Sequence, residues 1–156
     1  MLSQNNLEIV KKTVEEFFSK MSFEATVNML GQESQTLLLA IEAEEPQILI
    51  GERGETLWEI QHLLKLILRK KIEPSEQQFY IDLDINDYKK KKIEYLKETA
   101  KIAADEVALS KTEKVLPLMS SYERRIIHLE LAGREDVVSE SIGEEPERKI
   151  VIKPKP

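Results

Sequence analysis

An α+β fold of two small domains is predicted from three features of the chain. Its 156 residues suit one ordinary domain or two very small ones, since autonomous domains cluster near ~100–150 residues and become marginal below about 60. Apolar residues recur at three- and four-residue steps in some segments and alternate in others, so helices and strands are interleaved. The charge also changes near residue 85. Residues 1–85 hold 8 basic and 15 acidic side chains, a net −7, whereas residues 86–156 hold 15 and 14, a net +1. No repeat or low-complexity segment relates the two parts, which predicts domains at 1–85 and 86–156 with almost no linker.

In the first part, Leu7, Val10, Val14, Phe17, Phe18 and Met21 predict an amphipathic helix over 3–20 with Ser3 as its N-cap. Phe23 to Leu30 alternates loosely, Gly31-Gln32-Glu33-Ser34 reads as a turn, and Thr36 to Ala43 as a buried strand, together an antiparallel hairpin. Gln47 to Ile50, after Pro46, predicts one helical turn. Behind Gly51-Glu52-Arg53-Gly54 a strong helix follows, with Leu57, Ile60, Leu63, Leu64, Ile67 and Leu68 on one face and Arg69, Lys70 and Lys71 at the negative end of its dipole. Pro74 is expected to close it, and Phe79 to Ile85 alternates as a half-exposed strand.

In the second part, Asp87 to about Leu109 predicts a long helix with Ile93, Leu96, Ala100, Ala103 and Val107 buried, and Lys114 to Leu118 an extended piece carrying Pro117. Ser120 to Leu131 predicts a helix capped by Ser120 or Ser121, with Glu123 near its third position and Gly133 as a C-cap. Val137 to Ile142 and Lys149 to Lys153 read as strands around Gly143-Glu144-Glu145-Pro146, and Pro154-Lys155-Pro156 as a fraying tail.

Composition excludes several classes. An apolar fraction of 41% and a charged fraction of 33% with mixed signs predict a soluble globular protein. The absence of cysteine removes disulfides, thiol catalysis and cysteine zinc sites. Two histidines, His62 and His128, are too few for a histidine metal centre, so no metal and no cofactor is expected. The first residues lack a signal-peptide pattern and no window approaches the ~18 consecutive apolar residues of a membrane span, which makes the cytoplasm the expected location. The net charge of −6 argues at face value against a nucleic-acid binder held by bulk charge. The acidity is concentrated before residue 85, so favourable electrostatics are expected to be local.

Two constellations carry chemistry. The first is Ile48-Leu49-Ile50-Gly51-Glu52-Arg53-Gly54-Glu55-Thr56-Leu57. Glycines three apart before a helix let a sugar-phosphate backbone approach, the helix N-terminus offers free N–H groups, and Arg53 adds a charged donor. A bare G-x-x-G also serves as a tight turn between packed helices. In its context of helix, two strands, short helix, loop, helix and strand, the segment 3–85 resembles a type II KH domain. The resemblance implies a loop that clamps about four single-stranded nucleotides by their backbone. It assigns Gly51, Glu52, Arg53 and Gly54 to the loop and Ile48, Ile50 and Leu57 to a base groove. Glu52 departs from the basic residue often found there, and with Glu55 it opposes phosphate by about 1 kcal/mol each.

The second constellation is Ser120-Ser121-Tyr122-Glu123-Arg124-Arg125-Ile126-Ile127-His128. Arg124 and His128, four apart, share a helix face from which both can address phosphates. Neither Arg124 nor Arg125 has an acidic residue three or four positions away, so both are expected to be unpaired within the helix. Glu130 and Arg134 are expected to pair, and Lys90, Lys91 and Lys101 have acidic partners at helical spacing, so the Lys89 to Lys92 run reads as a solvated face. With Tyr122, Glu123 and the stretch Ser139 to Ile152, which contains Arg148, the segment resembles the single-stranded nucleic-acid-binding domain named for an Arg and a His in Arg-x-x-x-His. A type II KH domain followed by this domain is similar to the Jag family of bacterial proteins, also called the KhpB or EloR family, over about residues 3–153. The resemblance implies binding of single-stranded RNA, or of single-stranded DNA, and pairing with a small KH protein or a second copy. It also implies roles in post-transcriptional or cell-elongation regulation, with links in some bacteria to a membrane insertase. The separate N-terminal Jag domain and linker of full-length members are not found in the sequence. The site residues so implied are Ile50, Gly51, Glu52, Arg53, Gly54, Leu57, Tyr122, Arg124, Arg125, His128 and Arg148.

Trp58 lies in the first turn of the helix after the loop, where partial burial in packing is expected ahead of base stacking, and His62 is expected to be structural or solvent-facing. Tyr80, Tyr88 and Tyr95 form no RRM-like aromatic set. The leading expectation is a non-enzymatic RNA-binding protein without membrane insertion. Its rival is a protein–protein adaptor whose acidic KH loop has little nucleic-acid affinity. A nucleotide hydrolase ranks third, for want of a G-x-x-x-x-G-K-[ST] loop or a carboxylate pair in a metal-like setting.

Overall fold

The computed structural model describes residues 2–72 and 78–156, and the chain divides into two compact units, Met1–Lys89 and Lys90–Pro156. Pro74, expected to close a helix, lies outside the described residues.

In the first unit, helix α1 (Gln4–Lys20) starts at Ser3, whose hydroxyl accepts from the Asn6 N–H at 3.4 Å. It buries Val10, Val14 and Phe18 at the spacing of one helix face. Strands β1 (Ala25–Glu33) and β2 (Thr36–Ala43) form the antiparallel hairpin. Strand β1 runs through Gly31, Gln32 and Glu33, where a turn is expected from the sequence. A bulge between Met29 and Gly31 absorbs an extra residue, so the ladder continues to Glu33 opposite Thr36.

From β2 the chain passes through helix α2 (Pro46–Ile50), a single 3-10 turn (Glu52–Gly54) and helix α3 (Glu55–Lys71) to strand β3 (Tyr80–Ile85). Strand β3 lies parallel to β2, in the sheet order β1-β2-β3. Leu57, Ile60, Leu64 and Leu68 of α3 meet Leu37, Leu39, Ile41, Leu83 and Ile85 in one core. Leu63, expected on that face, is exposed, and Ile67 is half-buried, because the 57-60-64-68 stripe already fills the contact with the sheet. Asn86 continues the sheet's bonding, since its side-chain amide donates to the Ala43 carbonyl and its Oδ1 accepts from the Ala43 N–H, each at 2.9 Å.

The second unit contains most of helix α4 (Tyr88–Ser110), strand β4 (Lys114–Val115), helix α5 (Ser121–Leu131) and strands β5 (Val137–Ile142) and β6 (Lys149–Pro154). The strands form an antiparallel sheet of order β4-β6-β5, which places the apolar run Ile150, Val151 and Ile152 at its centre. Leu96, Ala100, Ala103 and Val107 of α4 are buried as their spacing predicts. Ala104 joins them, while Ile93 is only half-buried. Helix α5 carries a complete capping box: the Ser120 hydroxyl accepts from the Glu123 N–H (3.3 Å), and the Glu123 carboxylate accepts from the Ser120 N–H (2.7 Å).

Three expectations for this unit fail. Gly133 is not a left-handed cap, because α5 ends through Ala132 in right-handed conformation with its N–H on the Leu129 carbonyl. Glu130 pairs with Lys101, leaving Arg134 to bind Asp105 and Asp136. The hydrogen bonds from Arg134 hold the Asp136 carboxyl down at about 2. The tail does not fray at Pro154 and Lys155: Pro154 pairs with Val137 in the sheet, and the Lys155 N–H donates to the Asp136 carbonyl at 2.9 Å.

Candidate nucleic-acid interface

The loop between α2 and α3 is built by packing as much as by its glycines. Leu49 is buried and anchors α2, while Gly51 sits at φ 72°, ψ −177°, a region closed to other residues. A Cβ on Gly51 would come within 2.1 Å of the Thr56 hydroxyl, so the loop closes directly over Thr56. Gly54 is left-handed at φ 83° and forms the N-cap of α3, where a Cβ would stand 3.0 Å from the Tyr88 ring. No side chain caps α3; the 3-10 turn engages its first N–H, which donates from Glu55 to the Glu52 carbonyl, and the rest of the first turn has no side-chain cap.

Glu52 and Arg53 between the glycines are both exposed, and Arg53 adopts φ 54°, a strained conformation for a residue with a Cβ. Arg53 enters no ion pair among the described residues. Of the expected groove residues, Ile48 is exposed and Ile50 half-buried. Leu57 is not in a groove: it is 3% exposed, because it opens the buried stripe of α3. Trp58, expected in packing, is 67% exposed, since it follows Leu57 and so lies about 100° round the helix from the core. Its ring stacks on His62, with centroids 5.8 Å apart and planes 7° from parallel.

Helix α5 presents the opposite arrangement. Arg124 is 5% exposed; its Nη1 donates to the Met119 carbonyl at 2.7 Å and its Nη2 is paired with the Glu145 carboxylate. Arg124 is unpaired within the helix as expected, but the β5–β6 loop supplies an acid from 21 residues away. Arg125 points elsewhere on the helix and is exposed, with no ion pair among the described residues. Tyr122 is exposed as well.

His128 shares the Arg124 face as expected and is half-buried. Its Nδ1 lies 2.7 Å from the Ser139 hydroxyl and its Nε2 2.8 Å from the Ser141 hydroxyl, two positions on one face of β5. Burial, then the positive charges of Arg124 and Arg148, hold its pKa below the usual histidine value, so the ring is neutral near pH 7. One ring nitrogen donates to one serine while the other accepts. Arg148 is half-buried, and its Nε is enclosed with no hydrogen-bond partner among the described residues. At the capping box, burial raises the Glu123 pKa, but hydrogen bonds from Lys92 and the Ser120 N–H outweigh it and keep the carboxylate ionised.

In the second unit Arg124, His128 and Arg148 thus come together with Ser139, Ser141 and Glu145. The first unit assembles Gly51 to Gly54 with Ile48 and Ile50. Sequence reasoning misses the serines and Glu145 as site residues, although two serines two apart on a strand facing a histidine helix is a readable signal once the strand is paired. Among the described residues no helix is long and apolar enough to cross a membrane, and no cluster of three or more His, Asp or Glu could hold a metal.

Comparison with known proteins bears on these sites. The family model of the Arg-x-x-x-His domain matches residues 94–154, which contain all of α5, β5 and β6. RNA-binding protein KhpB of Clostridium symbiosum is 33% identical over 140 residues, covering 89% of this chain and 62% of that protein. RNA-binding protein KhpB of Bacillus subtilis (strain 168) is 35% identical over 124 residues, covering 78% of this chain and 58% of the relative. The Streptococcus pneumoniae serotype 2 (strain D39 / NCTC 7466) protein of that name is 31% identical over 140 residues, or 89% and 41% of the two lengths. The chain spans less than two thirds of the length of each of these relatives.

Proposed function

The second unit matches the Arg-x-x-x-His domain and most of the chain resembles KhpB, or Jag, proteins, and from that likeness we propose that it is a KhpB-like protein that binds single-stranded RNA and acts without catalysis. The observation that carries this reading is the positive charge inside the matched segment, where Arg124 and half-buried Arg148 act on His128 and Arg125 stands exposed on a neighbouring face of the same helix. Arg125, Arg148, Tyr122 and the two serine hydroxyls make the contacts with phosphate and base. Arg124 and His128 position that surface from beneath, because their own donors are already engaged.

The first unit acts as a KH-like clamp, a reading supported by its element order and by β3 lying parallel to β2. Gly51, Glu52, Arg53 and Gly54 receive the backbone, Ile48 and Ile50 flank it, and Leu57 fixes α3 from the core. The proposed partners are single-stranded RNA and a small KH protein or second copy. The proposed setting is cytoplasmic, in post-transcriptional or cell-elongation control.

Fluorescence anisotropy with a single-stranded RNA of about 12 nucleotides, within the usual site size, tests this over a salt series. Wild-type protein is expected to bind with a negative salt slope. The double variant Arg53→Ala, Arg125→Ala is expected to lose at least about tenfold in affinity and to flatten the slope by ~1.4, at about 0.7 per lost phosphate contact. Affinity and slope unchanged in the double variant would overturn the site assignment.

A further inference from the structure

We propose that Trp58 and His62 form a stacking platform for one unpaired base of the strand whose backbone lies at the Gly51–Gly54 loop. The two rings are nearly parallel, 7° apart with centroids at 5.8 Å, so His62 backs the indole and the outer face of the stack is left for a base on the outside of α3. Neither ring belongs to the core stripe Leu57, Ile60, Leu64 and Leu68, and the indole is 67% exposed, so the pair contributes little to the fold. An indole carries one of the largest apolar surfaces available to a side chain, and leaving it in water is unfavourable unless something covers it.

The position of the pair selects the occupant. Trp58 is the fourth residue of α3, so its Cα lies about 4.5 Å along the helix axis from the first. A phosphate received by the uncapped start of α3 and by Arg53 therefore leaves its own or the next base within reach of the indole. Glu55 and Glu59 flank Trp58 in the sequence and disfavour phosphate along the helix side, which leaves the charged group at the loop and the flat group over the rings. Stacking of this kind is tolerant of base identity, because every base has a π-face, and purines present the larger one. Leu63 and Leu66, the other exposed apolar residues of α3, lie further from the loop and make a second copy of the chain the competing occupant.

The inference rests on the RNA-binding reading of the first unit, and the experiment separates the two. Trp58 is the single tryptophan of the chain, so intrinsic emission reports the platform alone. Titration with oligoadenylate RNA is expected to quench that emission with saturation, whereas an abasic phosphodiester oligomer of equal length is expected to leave it unchanged. Anisotropy of labelled oligoadenylate is expected to show about a tenfold loss of affinity for Trp58→Leu, which keeps apolar bulk without a ring, and less than about threefold for Trp58→Phe. RNA binding by anisotropy with no emission change and no effect of Trp58→Leu would overturn the platform and leave the proposed function standing. No RNA binding by wild-type protein would overturn both. An emission change on dilution without RNA, matched by a change in sedimentation, would give the rings to an interface between copies and overturn the base platform.

Discussion

The starts of α3 and α5 solve the same problem in opposite ways. Each follows a short connecting segment, and each has an arginine within a few residues of its first turn. At α3 no side chain satisfies the leading N–H groups, the cap is a left-handed glycine, and Arg53 projects into solvent. At α5 the capping box occupies the leading N–H groups with Ser120 and an ionised Glu123, and Arg124 is enclosed against Met119 and Glu145. A helix start whose amides already hold a carboxylate repels an incoming phosphate, whereas one without a side-chain cap can receive it, here against the opposition of Glu52 and Glu55. Under the proposed function, the loop backbone and Arg53 lead the contact in the first unit, whereas in the second Arg125 and Arg148 lead it, Arg124 being latched to Glu145.

The largest test of this contrast is stability. Arg124→Ala removes a buried guanidinium and strands the Met119 carbonyl, at an expected cost of about 2–3 kcal/mol, reduced by the solvation available to Glu145. Arg53→Ala, at an exposed site, is expected to stay within about 0.5 kcal/mol. Urea unfolding followed by far-ultraviolet circular dichroism checks both, with Trp58 emission reporting the first unit separately. Equal effects of the two substitutions would erase the distinction between an open and a latched arginine.

The glycines sharpen it next. Gly51→Ala places a methyl 2.1 Å from the Thr56 hydroxyl at a φ of 72°, and about 2 kcal/mol of destabilisation is expected. Gly133→Ala meets nothing within 4 Å and has no positive φ, so it is expected to be neutral or to stabilise by up to about 1 kcal/mol. Thermal melts of the two variants compare them directly. A tolerated Gly51→Ala would mean that the loop can be built without that backbone conformation, and hence that the open helix start does not depend on it.

What could be read from the residues was local. The capping box was visible as Ser120 and Glu123 three apart, the α1 cap as Ser3 before an amphipathic run, and the loop as two glycines between helices. Pairing decided by tertiary structure was not visible. Glu145 reaches Arg124 only because the β5–β6 hairpin brings residues 21 apart together, and a search confined to helical spacing leaves Arg124 apparently free. The same limit applied to Trp58. A lone tryptophan on an amphipathic helix is ambiguous until the stripe beside it is known to start at Leu57 and not at Trp58. In the tail, pairing of Pro154 with Val137 lies at the end of the central strand β6, beyond the reach of β4, a contact that composition alone reads as disorder.

The smallest expected effect concerns the latch under acid. The folded pKa of His128 lies below its ordinary 6.5, because burial and the charges of Arg124 and Arg148 oppose protonation. As the pH falls, the unfolded chain therefore takes up the proton first, so this histidine's contribution to stability is complete above about 6.5 and is lost on acidification below it. Glu123 and the Arg134-bound Asp136 are held ionised to lower pH and stay out of this window. Between pH 7.5 and 5.5 the second unit is expected to lose stability by less than Arg124→Ala costs. His128→Gln, which can still bond one serine, is expected to flatten that dependence. A pH dependence that survives His128→Gln unchanged would overturn the assignment of the buried, charge-sensitive group to α5.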